Sequence, residues 1–223
     1  MNKASDRIRR VEPNRPDPAA IAAAAERIRE GGAVVFPTRG LYGLGADALN
    51  PSAVEGVFAL KGRPDGKPLP VLVADMADLD RLVAEVSPAG RRLMARFWPG
   101  RLTLVMPARP DLPAGLTAGT GKIGVRLCGH PTARALILAA GVPITGTSAN
   151  VSGGQGCDRI HRLDPALRDR ADLILDAGPL AGGPGSTVLD IAGDRPEVLR
   201  FGAVGRAELA EALSPDGPDF QNS

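Results

Sequence analysis

Three cations stand within seven residues at Lys61-Gly62-Arg63-Pro64-Asp65-Gly66-Lys67. The glycines and proline between them favour an extended, turning path, so Lys61, Arg63 and Lys67 can converge on one polyanion from a single loop. A triphosphate is the anion such a loop suits. A solvated turn is the plain alternative, because Pro, Gly, Asp and Lys are ordinary turn residues. A second candidate is Thr145-Gly146-Thr147-Ser148-Ala149-Asn150-Val151-Ser152-Gly153-Gly154, where small hydroxyls and an amide close an apolar run. At the carboxyl end of a strand, Ser148 and Asn150 can hydrogen-bond a phosphate or a carboxylate. Ser148 has no G-x-S-x-G elbow around it, and only His130 and His161 exist to serve it as a nucleophile.

Two further segments carry weaker signals. Phe36-Pro37-Thr38-Arg39-Gly40-Leu41-Tyr42-Gly43-Leu44-Gly45 places three glycines in six positions after an apolar run. Glycines let backbone N–H groups approach a ligand, but the spacing is neither a Walker A loop nor a dinucleotide fingerprint, and a bland turn is the favoured reading. Arg126 in Gly124-Val125-Arg126, and Arg200 near Gly185-Ser186-Thr187-Val188, can clamp a carboxylate or meet a phosphate. Surface ion pairing is the alternative for each. Cys157, Asp158 and His161 lack zinc-type spacing, so no protein metal site is expected.

The elements that must position these residues alternate along the chain. Asp17-Pro18 and Asn50-Pro51 each place an N-cap before a proline at the first helical position, predicting helices over 19–30 and 52–63. Apolar Val54, Val57, Phe58 and Leu60 follow a helical spacing, so Lys61 and Arg63 sit at a helix exit. Strands are predicted at 33–38, 69–74, 101–108, 122–127 and 143–149, with helices after Asp75, from Ser87-Pro88 to Trp98, and over 130–141. Three more strands follow residue 170 in close succession, then a final helix ending near Leu213. This order favours a mixed sheet with flanking helices over a strictly parallel one. Residues 1–15 and 214–223 are read as flexible tails around one domain at 16–213, and the glycines of 153–165 raise the idea of a mobile lid.

Composition narrows the partners. A chain of 223 residues, 43% hydrophobic, can bury one substantial core. Its net charge of +2 and 3% aromatic content leave little for a broad nucleic-acid footprint, so any anion site is local. No apolar run is long enough to span a bilayer, and two cysteines with no leader-type apolar core point to a cytoplasmic protein. Lysine is confined to Lys3, Lys61, Lys67 and Lys122, three of them beside Gly or Pro.

Six segments in order, PTRGLYGLG, KGRPDGKPL, WPGRLT, IGVRLCGHP, SANVSG and STVLD, resemble the YrdC-type threonylcarbamoyl-AMP synthase family in its short, single-domain form. The family pattern runs approximately P-T-E-T-x-Y-G-L-G, K-G-R-P-x-x-K/N-P-L, W-P-G-x-L-T, V-x-V-R-x-P-x-H-P, S-A-N-x-S-G and S-T-V-x-D. The resemblance implies an α/β fold, a twisted mixed β-sheet with flanking helices around a basic concave pocket. It implies a nucleotidyltransferase that converts L-threonine, bicarbonate and ATP, with Mg²⁺ bridging ATP oxygens, to threonylcarbamoyl-AMP and pyrophosphate. A tRNA threonylcarbamoyl transferase complex would then receive the product, and a weak tRNA contact is compatible with this hand-over. By the same resemblance Lys61 and Arg63 act as catalytic residues on the phosphates and carbamoyl group, with Lys67, Ser148, Asn150 and Arg200 on the nucleotide. Thr38, Arg126 and Ser186 match positions that hold threonine. The family's Glu-Thr is Arg39-Gly40 here, and Lys122 stands where relatives often carry threonine. A double-stranded RNA-binding module and a diverged paralogue with another carbamoylation substrate are the competing readings.

Overall fold

The computed structural model describes residues 7–214. The capping signals hold: Asp17 accepts a hydrogen bond from the Ala19 amide to open α1 (Pro18–Arg29), and Asn50 accepts from the Ser52 and Ala53 amides to open α2 (Pro51–Lys61). Gly62, at φ 54°, ends α2 in the left-handed conformation that favours glycine. Ser87 caps α3 (Pro88–Phe97), and α5 (Pro131–Ala140) ends on Gly141 at φ 73°. The Asp75-capped segment is a 3₁₀ helix, Met76–Arg81, closed by a reciprocal Asp75–Asp78 capping box. Short helices α4 (Ala114–Thr117) and α6 (Pro165–Arg170), absent from the sequence prediction, join the expected α7 (Arg206–Leu213).

The strands fall into two mixed sheets. One has the order β1 (Ile8–Arg10), β9 (Leu173–Asp176), β2 (Val34–Pro37), β3 (Tyr42–Gly45), β8 (Thr147–Ser148). The other runs β11 (Glu197–Arg200), β10 (Thr187–Asp190), β5 (Leu102–Pro107), β6 (Lys122–Leu127), β4 (Val71–Val73), β7 (Ile144–Thr145). The mixed α/β architecture is as expected, with the single sheet resolved into two. The tail expected over 1–15 is corrected from Ile8 on, since β1 pairs in parallel with β9 and Val11 is buried. An edge strand that buries little and exposes Arg9 and Arg10 carries almost no apolar pattern to read. Residues 1–6, and 215–223 of the expected C-terminal tail, lie outside the described residues.

Both faces of the central strands are covered, which is why they read as unbroken apolar runs. Val35 of β2 and Ile174 of β9 join one core between the sheets, while Val34, Phe36, Leu173 and Leu175 turn to the opposite face, against α1 and α5. This is the period-two alternation of a strand buried on both sides.

The run 143–149, predicted as one strand, is two. At Gly146 the chain leaves one sheet for the other: Thr145 pairs with Val71, and Thr147 with Leu44. A Cβ on Gly146 would lie 2.4 Å from Leu72 Cγ, so only glycine passes this point without displacing the core. Gly146→Ala is therefore expected to lower stability by about 1–3 kcal/mol, measured as a shift in the urea midpoint without loss of the cooperative transition.

Candidate functional site

A cavity of about 820 Å³ opens between the sheets, lined from both of them. Thr38, Arg63, Arg126, Ser148, Asn150, Ser186 and Arg200 all contribute to its wall, whereas Lys61 and Lys67 do not. Seven of the nine candidate residues, drawn from separate stretches of chain, thus share one space.

Lys61 lies behind the wall. It is 2% exposed, and its ammonium donates to the carbonyls of Ser148 and Asn150, each at 2.6 Å, and to Asn150 Oδ1 at 3.3 Å. Three N–H groups meet three acceptors. The Lys61 carbonyl in turn accepts from the Ser152 amide at 2.8 Å. The Ser148 hydroxyl donates to Asn150 Oδ1, and Asn150 Nδ2 donates to the Gly154 and Val151 carbonyls at 2.6 and 3.0 Å. Burial, assisted by the neighbouring Arg63 charge, pulls the Lys61 ammonium down to about 8. Arg63 donates from Nε to the Lys67 carbonyl at 3.0 Å and from Nη2 to the Pro68 carbonyl at 2.8 Å, which curls the loop and half-buries its guanidinium. Burial lowers its pKa as well. Lys67 is exposed and contributes its backbone to this curl.

The opposite wall is arginine-rich. Arg126, on β6, donates to the Gly100 carbonyl at 3.1 Å; its pKa is lowered by burial and by the charges of Arg200 and Arg39. Arg200, on β11, donates to the Ser186 carbonyl at 2.7 Å, and the Ser186 hydroxyl is hydrogen-bonded to Thr103 Oγ1 at 2.8 Å. Asp190 is the one carboxylate among the lining residues, and Lys122 pairs with it at 2.8 Å. That ion pair accounts for Lys122. Arg101 is likewise paired, with Glu208 at 3.0 Å, whereas among the described residues Arg39, Arg63, Arg126 and Arg200 have no carboxylate partner. Four unneutralised guanidiniums facing one cavity call for an anionic ligand.

Several expectations change in detail. The glycine-rich segment is a turn, the reading favoured from sequence: Thr38 N–H donates to the Leu41 carbonyl at 3.1 Å, making 38–41 the tip of the β2–β3 hairpin, with Gly43 and Gly45 inside β3. A Cβ on Gly45 would lie 2.5 Å from the Thr145 carbonyl, so this glycine serves the packing of one sheet on the other. His130 caps α5 by position without a side-chain hydrogen bond and does not line the cavity. The idea of a mobile lid over 153–165 does not hold from Cys157 on, because Cys157, Ile160 and Leu163 are core residues and the Cys157 carbonyl accepts from the Tyr42 amide at 2.7 Å. Arg39 was legible only as an oddity in a turn, and the hairpin that aims it at the cavity depends on long-range pairing.

Two mixed sheets joined through a glycine crossover, with an arginine-lined cavity between them, define an α/β class with a cationic cavity between its sheets. The Sua5/YciO/YrdC family profile, described as telomere recombination, matches residues 26–202, and the chain belongs to that family. It is 41% identical over 196 residues to a threonylcarbamoyl-AMP synthase of Bacillus subtilis (strain 168), covering 87% of this chain and 57% of that one. It is 35% identical over 177 residues to a threonylcarbamoyl-AMP synthase of Chromobacterium violaceum, covering 79% and 90%. The crystal structure of Pyrococcus abyssi Sua5 complexed with L-threonine superimposes with a TM-score of 0.88 at 36% identity, over 92% of this chain and 60% of that one. The chain therefore spans less than two thirds of the Bacillus and Pyrococcus proteins.

Replacing Lys61 by Met removes three hydrogen bonds; the Ser148 carbonyl keeps the Asn150 amide and Asn150 Oδ1 keeps the Ser148 hydroxyl, but the Asn150 carbonyl loses its donor, and a loss of about 1–3 kcal/mol is expected. The native state releases the Lys61 proton near pH 8, while the unfolded chain keeps it to about 10.5. Wild-type stability relative to Lys61→Met is thus flat below pH 8 and rises between these values. Urea unfolding followed by the fluorescence of Trp98, the single tryptophan, measures both effects.

Proposed function

We propose that this chain is an L-threonylcarbamoyladenylate synthase, forming threonylcarbamoyl-AMP and pyrophosphate from L-threonine, bicarbonate and ATP. The observation that carries this reading is the pairing of two walls: a Ser148–Asn150 turn braced by Lys61 and flanked by Arg63, facing Arg126, Arg200 and Ser186 across one cavity. Relatives named for this activity support it.

The chemistry needs positioning and charge neutralisation more than acid–base groups. The threonine amine attacks the carbon of bicarbonate and water leaves, giving a carbamate. A carbamate oxygen then attacks the α-phosphorus of ATP in line, and the bond to the departing pyrophosphate breaks. Arg63 and the Ser148–Asn150 turn are assigned to the phosphates, with Arg200 beside them. Thr38, Arg126 and Ser186 are assigned to threonine. Lys61 acts through the turn it braces, and Lys67 through the curl that orients Arg63. Among the described residues no cluster of three or more His, Cys, Asp or Glu exists, and Asp190 is already paired with Lys122. Mg²⁺ would accordingly be held by ATP oxygens and water, with few protein ligands.

No helix among the described residues is long and apolar enough to cross a membrane, in keeping with a cytoplasmic enzyme. Its product would pass to a transferase complex that modifies tRNA. The charge lies in a cavity of small-molecule size, which favours a nucleotide over a duplex RNA backbone.

Pyrophosphate release that requires ATP, threonine and bicarbonate together is the expected result, with Arg63→Ala lowering kcat/KM by about 10²–10³. Release with serine alone would retain the reaction and change the substrate. No release with any amino acid would rule the reading out.

A further inference from the structure

The Arg39-Gly40 hairpin tip lines the cavity, and Arg39 is a charged residue there with no role assigned so far. Its geometry is tightly determined. Thr38 donates to the Leu41 carbonyl through both its amide and its hydroxyl, at 3.1 and 2.5 Å, closing the tip from within. From outside, the Gly182 amide donates to the Gly40 carbonyl at 2.9 Å, and a Cβ on Gly40 would lie 2.2 Å from the Gly182 carbonyl oxygen. The backbone that carries Arg39 is therefore held on both sides, by the hairpin and by the segment crossing it.

The side chain is aimed by a second glycine. A methyl group on Gly100, whose φ is 109°, would lie 3.0 Å from Arg39 Cδ and 3.5 Å from its Nη1. Gly100 thus leaves room for the arginine stem, and it is the same residue whose carbonyl accepts from Arg126 at 3.1 Å. Two guanidiniums accordingly flank one residue on the cavity wall, neither paired with a carboxylate among the described residues. Burial first, then the charges of Arg200 and Arg39, lower the Arg126 pKa. Two like charges held on a rigid frame without a counter-ion are arranged for an anion delivered by the ligand.

We propose that Arg39 and Arg126 bind one carboxylate between them, that of the amino-acid substrate, making Arg39 a substrate-binding residue. The inference rests on the synthase reading and deepens it. A carboxylate is preferred to a phosphate because Arg39 follows Thr38 in the hairpin and shares Gly100 with Arg126, both assigned to the amino acid, while the phosphates are assigned to Arg63, Ser148 and Asn150. The arrangement also suits the intermediate: threonine converted to its carbamate carries two negative charges, and a second guanidinium favours that dianion over the free zwitterion.

The test compares wild type, Arg39→Ala and Arg39→Lys by pyrophosphate release and by calorimetric binding of threonine, with threoninamide as the uncharged analogue. Arg39→Ala should raise the KM for threonine roughly ten- to a hundredfold, with most of the turnover recovered at saturation and the KM for ATP unchanged. Arg39→Lys should restore part of the affinity. Threoninamide should bind wild type and Arg39→Ala equally weakly, since the group that Arg39 contacts is missing. An unchanged KM for threonine, an equal loss for threonine and its amide, or a rise in the KM for ATP instead would each overturn the proposal while leaving the synthase reading standing. Wild-type protein that neither binds threonine nor releases pyrophosphate would overturn both.

Discussion

The Lys61 ammonium is the constraint on which the site is built. A lysine at 2% exposure is unfavourable in isolation, because its charge is removed from water. Here the cost is offset by seating it at the exit of α2, where its stem lies in the core and its three donors meet the carbonyls of Ser148 and Asn150 and the Asn150 amide oxygen. Ser148 is held by its pairing with Gly43 and Ala149 by the Tyr42 carbonyl, but the sheet ends there, and the Asn150 carbonyl that follows is met by Lys61. Without the cation that carbonyl would have to turn outward, carrying the Asn150 side chain with it. Lys61 thus does for the turn what a ladder of hydrogen bonds does for a strand, and in doing so ties α2 to the end of β8.

The charge distribution follows the same logic on a larger scale. Lys122 cancels the one carboxylate on the cavity wall, and Glu208 cancels Arg101 at its margin. What remains is a set of guanidiniums whose repulsion is borne by the folded frame, leaving the lowest electrostatic energy to the liganded state. The net charge of +2 conceals this entirely, because basic residues in the cavity and acidic residues elsewhere nearly cancel in the sum.

Legibility from sequence tracks how local each determinant is. Helices α1, α2 and α3 were readable because Asp17, Asn50 and Ser87 announce them within a few residues. The strands buried on both faces were readable as apolar runs. The edge strand β1 was not, because its pattern is almost wholly charged, and the division of 143–149 into β7 and β8 was not, because the reason for it is Leu72, far away in the chain. Within the site, the residue types were legible and their depth was not: a lysine in Lys61-Gly62-Arg63 looks like a phosphate contact until the fold places it behind the wall. Arg39 shows the reverse, a residue that departs from the family pattern and gains its meaning from Gly100 and Arg126.

The glycine crossover has a consequence for how this architecture tolerates change. Side chains alternate face along β7 and β8, so a residue inserted or removed between Ile144 and Ser148 would turn the Ser148 hydroxyl away from the cavity and put a branched side chain against Leu72. The exposed stretch at 153–156, outside the strands, carries no such phase relation. Length variation among descendants of this fold should therefore accumulate at the rim of the cavity, while the five residues from Ile144 to Ser148 act as a fixed ruler between its walls.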